Sequence, residues 1–193
     1  MVKVAITGCI GSGKSYVCRL LARRGISVYD CDAAAKRLMR TEQSLREALQ
    51  QLVGTDVYRG TELQKPVLAR FLLAGEANKQ AVNDVVHPAV ARDFEQSGCN
   101  WLESAILFDA RFYLRTHFDY IVCVTAPLEV RISRVMERDG ISRAKTLEWI
   151  NSQLPQEQVA ARSNYTIVND GVQQLEPQID ALLSEIRTGS AAR

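Results

Sequence analysis

The sequence predicts a parallel three-layer α/β fold, in which helices cover both faces of one sheet. Short β-branched apolar runs alternate with segments of helical periodicity along the chain. The first run, Val2–Thr7, is followed by Gly8 and leads directly to a helical segment, which is typical of a strand buried on both faces. A length of 193 residues suits one compact domain with a sizeable core, so we predict a single domain over residues 1–193.

The first helix and the second strand follow in close succession. Apolar residues at helical spacing predict a helix over Ser15–Arg24, and Gly25 is placed to end it. Ile26–Tyr29 is predicted as a short strand that Asp30 closes. Because open α/β sheets bind ligands at the carboxyl ends of their strands, we expect the ligand site at the turns after these two strands.

A long helical stretch separates the second strand from the third. Apolar residues recur at helical spacing from about residue 33 to residue 97, and Gly54–Gly60 breaks the pattern. Within it, His87-Pro88 is expected to bend or restart a helix, because proline lacks the N–H that a helix needs. The stretch is too long for one crossover, so we predict a substrate-binding flap.

The remaining elements continue the alternation. Strands are predicted at Trp101–Phe108, Tyr120–Thr125 and Tyr165–Val168, with helices between them. The last helix is expected over about Gln174–Ile186, and the tail Thr188–Arg193 is expected to be loose. Strands that alternate with helices in this way imply a parallel sheet.

Charge and composition narrow the classes of partner. A net charge of +2 is too small to attract nucleic acid or an anionic membrane. With 47% apolar residues, 24% charged residues and no apolar stretch of membrane-spanning length, the sequence predicts a cytoplasmic globular protein. We interpret the five cysteines as reduced, mostly buried thiols, and a reactive thiol near a phosphate site is the alternative for Cys9 or Cys31.

The segment Gly8–Ser15 carries the main functional signal. Its sequence GCIGSGKS satisfies the pattern G-x-x-x-x-G-K-[ST], after a predicted strand and at the start of a predicted helix. Glycines let successive backbone N–H groups turn toward phosphate oxygens, and the helix N-terminus adds positive potential. Lys14 is expected to reach the β and γ phosphates of ATP, and Ser15 to bind Mg²⁺.

Two carboxylates follow the second predicted strand. One of Asp30 and Asp32 can hold Mg²⁺ through water while the other accepts the proton of an attacking hydroxyl, as phosphoryl transfer commonly requires. From local sequence, Asp32 is equally well explained as the N-cap of a helix that starts at Ala33. Both explanations stay open at this point.

Three arginines share one face of a predicted helix that Pro127 is placed to start. Arg131, Arg134 and Arg138 lie three and four residues apart, and a bound polyphosphate would offset their mutual repulsion. Arg143, beyond Gly140, is placed to close over that ligand on a mobile lid. The alternative is a solvated basic face whose charges are balanced by acids, namely Glu129, Glu137 and Asp139.

Three further motifs carry weaker signals. Ala105–Asp109 resembles an apolar strand ending in a Mg²⁺-organising acid, and a strand before a capping aspartate would look the same. The sequence alone does not indicate which residue would assist His87 in a contact to substrate, which favours a structural role. Asn169–Gly171 follows the last strand, where an adenine can rest against backbone and an amide, and a plain turn explains it equally well.

In order and spacing, these motifs resemble the dephospho-CoA kinase family, within the nucleoside-monophosphate-kinase branch of P-loop proteins. The resemblance runs from Val4 to Leu182. Its motifs are, in order, Gly8–Ser15, Asp30–Asp32, His87-Pro88, Phe108-Asp109, Arg131-x-x-Arg134-x-x-x-Arg138-Asp139, Gln153 and Asn169–Gly171. Two segments depart from the family: Ala105–Asp109 replaces the usual Pro-Leu-Leu-Phe-Glu, and Asn164-Tyr165 stands where an acid before the last strand is common.

The resemblance implies that the γ-phosphate of ATP is transferred to the ribose 3′-hydroxyl of dephospho-CoA, the last step of coenzyme A synthesis. It implies a five-stranded parallel core, a helical CoA-binding insertion over about residues 40–96 and a lid over about residues 139–153. By position, Asp32 resembles the catalytic base, Lys14 the phosphate clamp, and Arg138 a lid arginine that stabilises the transferring phosphoryl group.

The expected site residues divide by ligand. Dephospho-CoA is expected to contact Asp32 and His87, and Mg²⁺ to contact Ser15 and Asp30. The residues expected to bind ATP are Gly8, Gly11, Ser12, Gly13, Lys14, Ser15, Tyr16, Arg134, Arg138 and Asn169. The expected partner is a small molecule, without nucleic acid or membrane, and the protein is expected to be a monomer or a weak homo-oligomer.

Two other functions stay open at this point. A nucleotide kinase or a shikimate-type kinase would share the fold, and the apolar flap favours a long pantetheine arm by family analogy alone. A nucleotide switch or a motor ATPase would use the loop to bind partners instead. Asn78–Ala81 lacks the aspartate of a guanine-reading N-K-x-D motif, which argues against a GTPase, and a motor would usually have a longer chain and a basic partner surface.

Overall fold

The structure, a computed structural model that describes residues 2–189, contains a five-stranded parallel sheet. Its strands are β1 (Val4–Thr7), β2 (Val28–Asp30), β5 (Trp101–Glu103), β6 (Tyr120–Thr125) and β7 (Tyr165–Val168). Their order across the sheet is β2-β5-β1-β6-β7, with β1 parallel to both β5 and β6. Two short strands, β3 (Tyr58–Arg59) and β4 (Glu62–Leu63), form a separate antiparallel hairpin. The predicted α/β fold with a parallel sheet is confirmed.

Helices occupy most of the chain between the strands. They are α1 (Lys14–Arg23), α2 (Cys31–Thr41), α3 (Gln43–Val53), α4 (Lys65–Leu73), α5 (Glu76–Gln96), α6 (Leu128–Asp139), α7 (Arg143–Asn151), α8 (Gln156–Ala161) and α9 (Leu175–Thr188). Short 3₁₀ helices lie at Thr55–Val57 and Phe112–Leu114. The predicted break at residues 54–60 holds the first of these and β3. Helix α9 extends two residues past its predicted end, and residues 190–193 of the expected loose tail lie outside the described part of the chain.

The core lies between the sheet and helices α1 and α9. Val4 and Ile6 of β1 are fully buried, as is every residue of that strand. They pack with Leu21 of α1 and with Ile179 and Leu182 of α9 in one apolar cluster. Burial on both faces explains why the first strand has no polar alternation in its sequence.

Strand β5 is shorter than predicted, because it ends at Glu103 and not at Phe108. The Ser104 N–H still donates to the carbonyl of Ile6, at 2.9 Å, and turns follow over residues 105–111. Leu107 and Phe108 are nevertheless buried. The apolar run therefore marks a buried turn, and a continuous apolar pattern cannot distinguish that from a buried strand.

Helix α5 continues through Pro88, so the predicted restart at this residue is wrong. Proline costs the helix one hydrogen bond and crowds the preceding turn. Buried apolar residues four positions apart lie on both sides of it, at Val82, Val86, Val90 and Phe94. Burial of this continuous stripe outweighs the local penalty.

The chain divides into two compact units. One comprises the described residues up to Tyr29 together with those from Cys99 onward, and it contains the loop between β1 and α1. The other is Asp30–Gly98, and it contains the range expected as a helical insertion. Among residues 2–189, none of the helices is both long and apolar enough to cross a bilayer.

Leu182→Ala is expected to lower the free energy of unfolding by about 2–5 kcal/mol, because it leaves a cavity beneath the sheet. Leu182 is fully buried. Urea denaturation measures the change. Leu114, which is 68% exposed, offers the matched control, and Leu114→Ala is expected to change stability by less than about 0.5 kcal/mol. Equal losses in the two variants would contradict the proposed location of the core.

Candidate active site

The loop between β1 and α1 has glycine at three points where the backbone has a positive φ, which residues with a side chain rarely adopt. Gly8, Gly11 and Gly13 have φ angles of 143°, 78° and 90°. A Cβ on Gly8 would lie 2.3 Å from the carbonyl oxygen of Val124, and one on Gly13 would lie 2.1 Å from Nδ2 of Asn169. Both the φ angles and the close neighbours therefore exclude larger residues.

Lys14 begins helix α1 with its side chain buried inside the loop. Its Nζ lies 3.5 Å from the carbonyl oxygen of Cys9 and 3.9 Å from Oε1 of Glu103. Burial lowers the pKa of Lys14, and the nearby carboxylate of Glu103 opposes that shift. The ammonium is thus held at the loop by one ion-pair contact and by backbone.

Glu103 is a functional candidate that the sequence prediction missed. It is the last residue of β5, and parallel pairing places it opposite Ile6 of β1. The prediction treated the apolar run to Phe108 as one strand and therefore looked for the strand-ending acid at Asp109. A glutamate that interrupts an apolar run was the available signal.

The donor chemistry of the loop suits an anionic ligand. Ser12 Oγ and Thr7 Oγ1 are buried, and neither has a hydrogen-bond partner within residues 2–189. Gly13, at the N-cap of α1, has no side chain to satisfy the first N–H groups of the helix. Together with the buried ammonium of Lys14, these donors fit the phosphate groups of a nucleotide. Ser15 and Tyr16 are exposed on the first turn of α1.

The arginines of α6 are used in two different ways. Arg131 donates from Nε to the carbonyl of Ile10 at 3.0 Å, and Arg134 lies against the same loop. Arg138 instead makes a double hydrogen bond with Asp139, at 2.9 and 2.6 Å, and its side chain is 60% exposed. That hydrogen bond raises the pKa of Arg138 and lowers that of Asp139. The single basic face expected from the sequence is therefore divided.

Asn169 joins the turn after β7 to the loop. Its Nδ2 donates to the carbonyl of Ser12 at 2.9 Å, and its Oδ1 accepts from Nη2 of Arg134 at 3.2 Å. Its backbone N–H donates to Thr125, which keeps the turn in line with β6. The structure thus brings Arg134 and Asn169 together at the loop. The sequence analysis expected both residues to bind ATP.

The segment after α7 is also tied to the loop. Gln153 accepts through Oε1 from the N–H of Ile10 at 2.8 Å, and the Cys9 thiol donates to the carbonyl of Leu154 at 3.5 Å. Asp109 accepts from the N–H of Leu154 at 2.9 Å. Asp109 therefore lies in a turn and binds the backbone of Leu154. The sequence analysis had placed it at the end of a strand.

The cysteines are free thiols within the described residues. Burial raises the pKa of the Cys9 thiol, although the charges of Arg131 and Lys14 lower it. Burial also raises the pKa of Cys123 to about 12. Both thiols stay protonated at neutral pH, which does not favour the reactive-thiol alternative for Cys9.

The second unit holds the predicted acids and His87. Asp30 is the N-cap of α2, because its Oδ1 accepts from the N–H of Ala33 at 2.9 Å. Asp32 is the second residue of that helix and lies in its first turn, so its alternative role as the cap is wrong. Its carboxylate is 76% exposed and pairs with Lys36. His87 lies within α5 and is partly buried.

The phosphate loop, its buried lysine and the parallel sheet define a P-loop protein, and solved kinases share the fold. A dephospho-CoA kinase from Campylobacter jejuni superposes with a TM-score of 0.64 at 17% identity, covering 97% of this chain and 98% of that one. Shikimate kinase from Acinetobacter baumannii superposes with a TM-score of 0.58 at 14% identity, covering 100% and 96%.

Sequence comparison identifies the family. The family model for dephospho-CoA kinase matches residues 2–174. Dephospho-CoA kinase of Bacteroides fragilis is 38% identical over 190 residues, which are 95% of this chain and 92% of that protein. A solved structure from Thermus thermophilus is 34% identical with a TM-score of 0.80, covering 95% of this chain and 97% of that one. This chain belongs to the dephospho-CoA kinase family.

Gly13→Ala is expected to weaken ATP binding by about a hundredfold, since its Cβ would displace either Asn169 or the loop. Isothermal titration calorimetry with Mg-ATP measures the loss. Gly25→Ala is the matched control, because Gly25 also has a positive φ, 78°, but nothing lies within 4 Å of its added Cβ. We expect that control to lose about 1–2 kcal/mol of stability and to keep its ATP affinity. Similar affinities in both variants would show that the contact with Asn169 is not required.

Proposed function

We propose that this protein transfers the γ-phosphate of ATP to the ribose 3′-hydroxyl of dephospho-CoA, giving CoA and ADP. The observation that carries the proposal is the glycine loop with Lys14 buried against Glu103, in a chain that matches the family over residues 2–174. The fold alone is shared with shikimate kinase, so the choice of acceptor rests on the family.

The phosphates are bound by the loop itself. The ammonium of Lys14 and backbone N–H groups of the loop neutralise and orient the β and γ phosphates. The N–H groups of Ile10 and Ser12 do not take part, because they donate to Gln153 and Cys9. Ser12 Oγ, buried and without a partner in the described chain, gains one when a phosphate is bound. Because these groups are fixed before the ligand arrives, little reorganisation is needed when charge develops on the phosphoryl group.

We propose Ser15 and Asp30 as the residues that hold Mg²⁺. Ser15 is exposed at the start of α1, and Asp30 uses Oδ1 to cap α2, which leaves Oδ2 for a direct or water-mediated contact. The ion would supply neutralisation of the negative charge on the phosphates. Mg²⁺ suits such a site because it prefers oxygen ligands and keeps several of its waters.

Asp32 is proposed as the general base that accepts the proton of the 3′-hydroxyl, and His87 as a contact to dephospho-CoA. Asp32 is exposed and pairs with one lysine, so its carboxylate is accessible to a substrate. Arg138 is proposed to stabilise the transferring phosphoryl group. It can exchange its exposed ion pair with Asp139 for one with phosphate, because exposed pairs contribute little to stability.

The remaining assignments follow the same family. Residues 139–153, which include α7, are proposed as the lid, and about residues 40–96 as the CoA-binding insertion. Tyr16 is proposed as a nucleotide contact, and the guanidinium of Arg19 lies 5.4 Å from the centre of its ring. A cytoplasmic location and a monomeric or weakly oligomeric state stay predictions of the sequence.

An ADP-release assay tests the acceptor. With ATP and Mg²⁺, we expect rapid turnover with dephospho-CoA, formation of CoA, and little turnover with AMP, CMP, shikimate or no acceptor. Addition of EDTA is expected to stop the reaction. Preference for another acceptor would keep the kinase class and refute the substrate, whereas hydrolysis independent of acceptor would favour an ATPase.

Asp32→Asn is expected to lower kcat by about 10²–10⁴-fold, because the amide cannot accept a proton, and to leave the affinity for ATP near that of the wild type. Steady-state kinetics with dephospho-CoA and calorimetry with ATP measure the two quantities. Asp180→Asn, the same exchange at an exposed residue of α9, is the control and is expected to retain kcat. Near wild-type turnover in Asp32→Asn would refute the assignment.

A further inference from the structure

The outer side of the phosphate loop is hydrogen-bonded to residues distant in sequence. Nδ2 of Asn169 donates to the carbonyl of Ser12 at 2.9 Å, and Nη1 of Arg134 lies 3.4 Å from the same oxygen. Arg134 also donates to the backbone carbonyl of Asn169 at 3.0 Å and to its Oδ1 at 3.2 Å. Asn169 is 8% exposed, so water has little access to compete for these groups.

This network fixes the orientation of the Asn169 amide. Oδ1 accepts from a guanidinium, and Nδ2 donates to a carbonyl. Exchanging the two atoms would place donor against donor and acceptor against acceptor. The amide also contacts the loop closely, because a Cβ on Gly13 would lie 2.1 Å from Nδ2. The donor of Asn169 is therefore committed to the backbone of the loop.

Peptide geometry carries this contact through to the inner side of the loop. The peptide between Ser12 and Gly13 is trans, so the carbonyl of Ser12 and the N–H of Gly13 share a plane and point in opposite directions. A donor that fixes the carbonyl on the outside thereby aims the N–H toward the inside. Arg131 donates to the carbonyl of Ile10 in the same way. The N–H of Gly11, in the same peptide, is thereby aimed toward the inside of the loop.

We propose that Asn169, oriented by Arg134, is a positioning residue that aims the N–H of Gly13 at the phosphates, and that it makes no contact with the adenine. The ligand it acts on is then the polyphosphate, whichever base is attached. The proposal rests on the proposed function for ATP binding alone and is independent of the acceptor. It reassigns two residues that the sequence suggested as direct ATP contacts.

Asn169→Asp tests the proposal. The variant keeps the shape and the acceptor toward Arg134, but it places a carboxylate oxygen against the carbonyl of Ser12. We expect the affinities for Mg-ATP and for Mg-tripolyphosphate to fall by equal factors of about tenfold or more, with the KM for dephospho-CoA unchanged. Calorimetry with each ligand and steady-state kinetics measure these quantities. Gln158→Glu, the same exchange at an exposed residue of α8, is expected to bind both ligands as the wild type does.

The two ligands separate the possible roles. A loss confined to ATP would overturn the proposal, because it would identify Asn169 as a contact to base or ribose, and so would unchanged affinity for both ligands. Thermal unfolding shows whether the variant is folded. If it is not, Arg134→Lys supports the same comparison, since it keeps the charge and removes the double contact with Asn169. Equal losses are expected there, and unequal or absent losses overturn the proposal. If the wild type binds ATP without phosphorylating dephospho-CoA, the proposed function fails and the comparison of affinities is unaffected.

Discussion

The buried ammonium of Lys14 is the constraint that organises the site. A charge with 8% exposure is unfavourable unless an opposite charge and backbone carbonyls compensate it. Here the compensation comes from Glu103, the last residue of β5, and from the carbonyl of Cys9. Glu103 reaches this position because β5 pairs in parallel with β1 in a register that sets it opposite Ile6. The register of the central strands thus determines the electrostatics of the loop.

The loop depends on its outer surface as much as on its inner one. N–H groups that face a phosphate leave their partner carbonyls facing the protein, and a buried carbonyl needs a donor. Arg131, Arg134 and Asn169 supply those donors. Two arginines three residues apart on α6 would repel each other. Each guanidinium here faces carbonyl oxygens, which offset the repulsion without a bound polyphosphate. The third arginine, Arg138, faces outward and is paired with Asp139.

Local sequence was sufficient for the fold and for the glycine loop, and insufficient for contacts made across the chain. Periodicity and glycine placement predicted β1, α1 and β6 to within about two residues, because burial and capping act locally. The bond from Asn169 to Ser12 spans 157 positions, and only the packed sheet brings the two together. The errors have the same origin, which is burial in the folded protein. The apolar run to Phe108 was predicted as a strand and forms a buried turn, and helix α5 continues through Pro88, where a bend or restart was predicted.

Asp109 shows how a departure from the family pattern can be accommodated. The resemblance to the family implies a glutamate at this position, which is one methylene longer. Asp109 sits in the turn after β5 and accepts from the backbone N–H of Leu154. Leu154 in turn accepts from the Cys9 thiol, and Gln153 beside it accepts from the N–H of Ile10. In this chain the shorter acid holds the backbone of the segment after α7. The same bonds fix the end of the proposed lid to the phosphate loop, while Gly140, with a φ of 65°, ends α6 at its start.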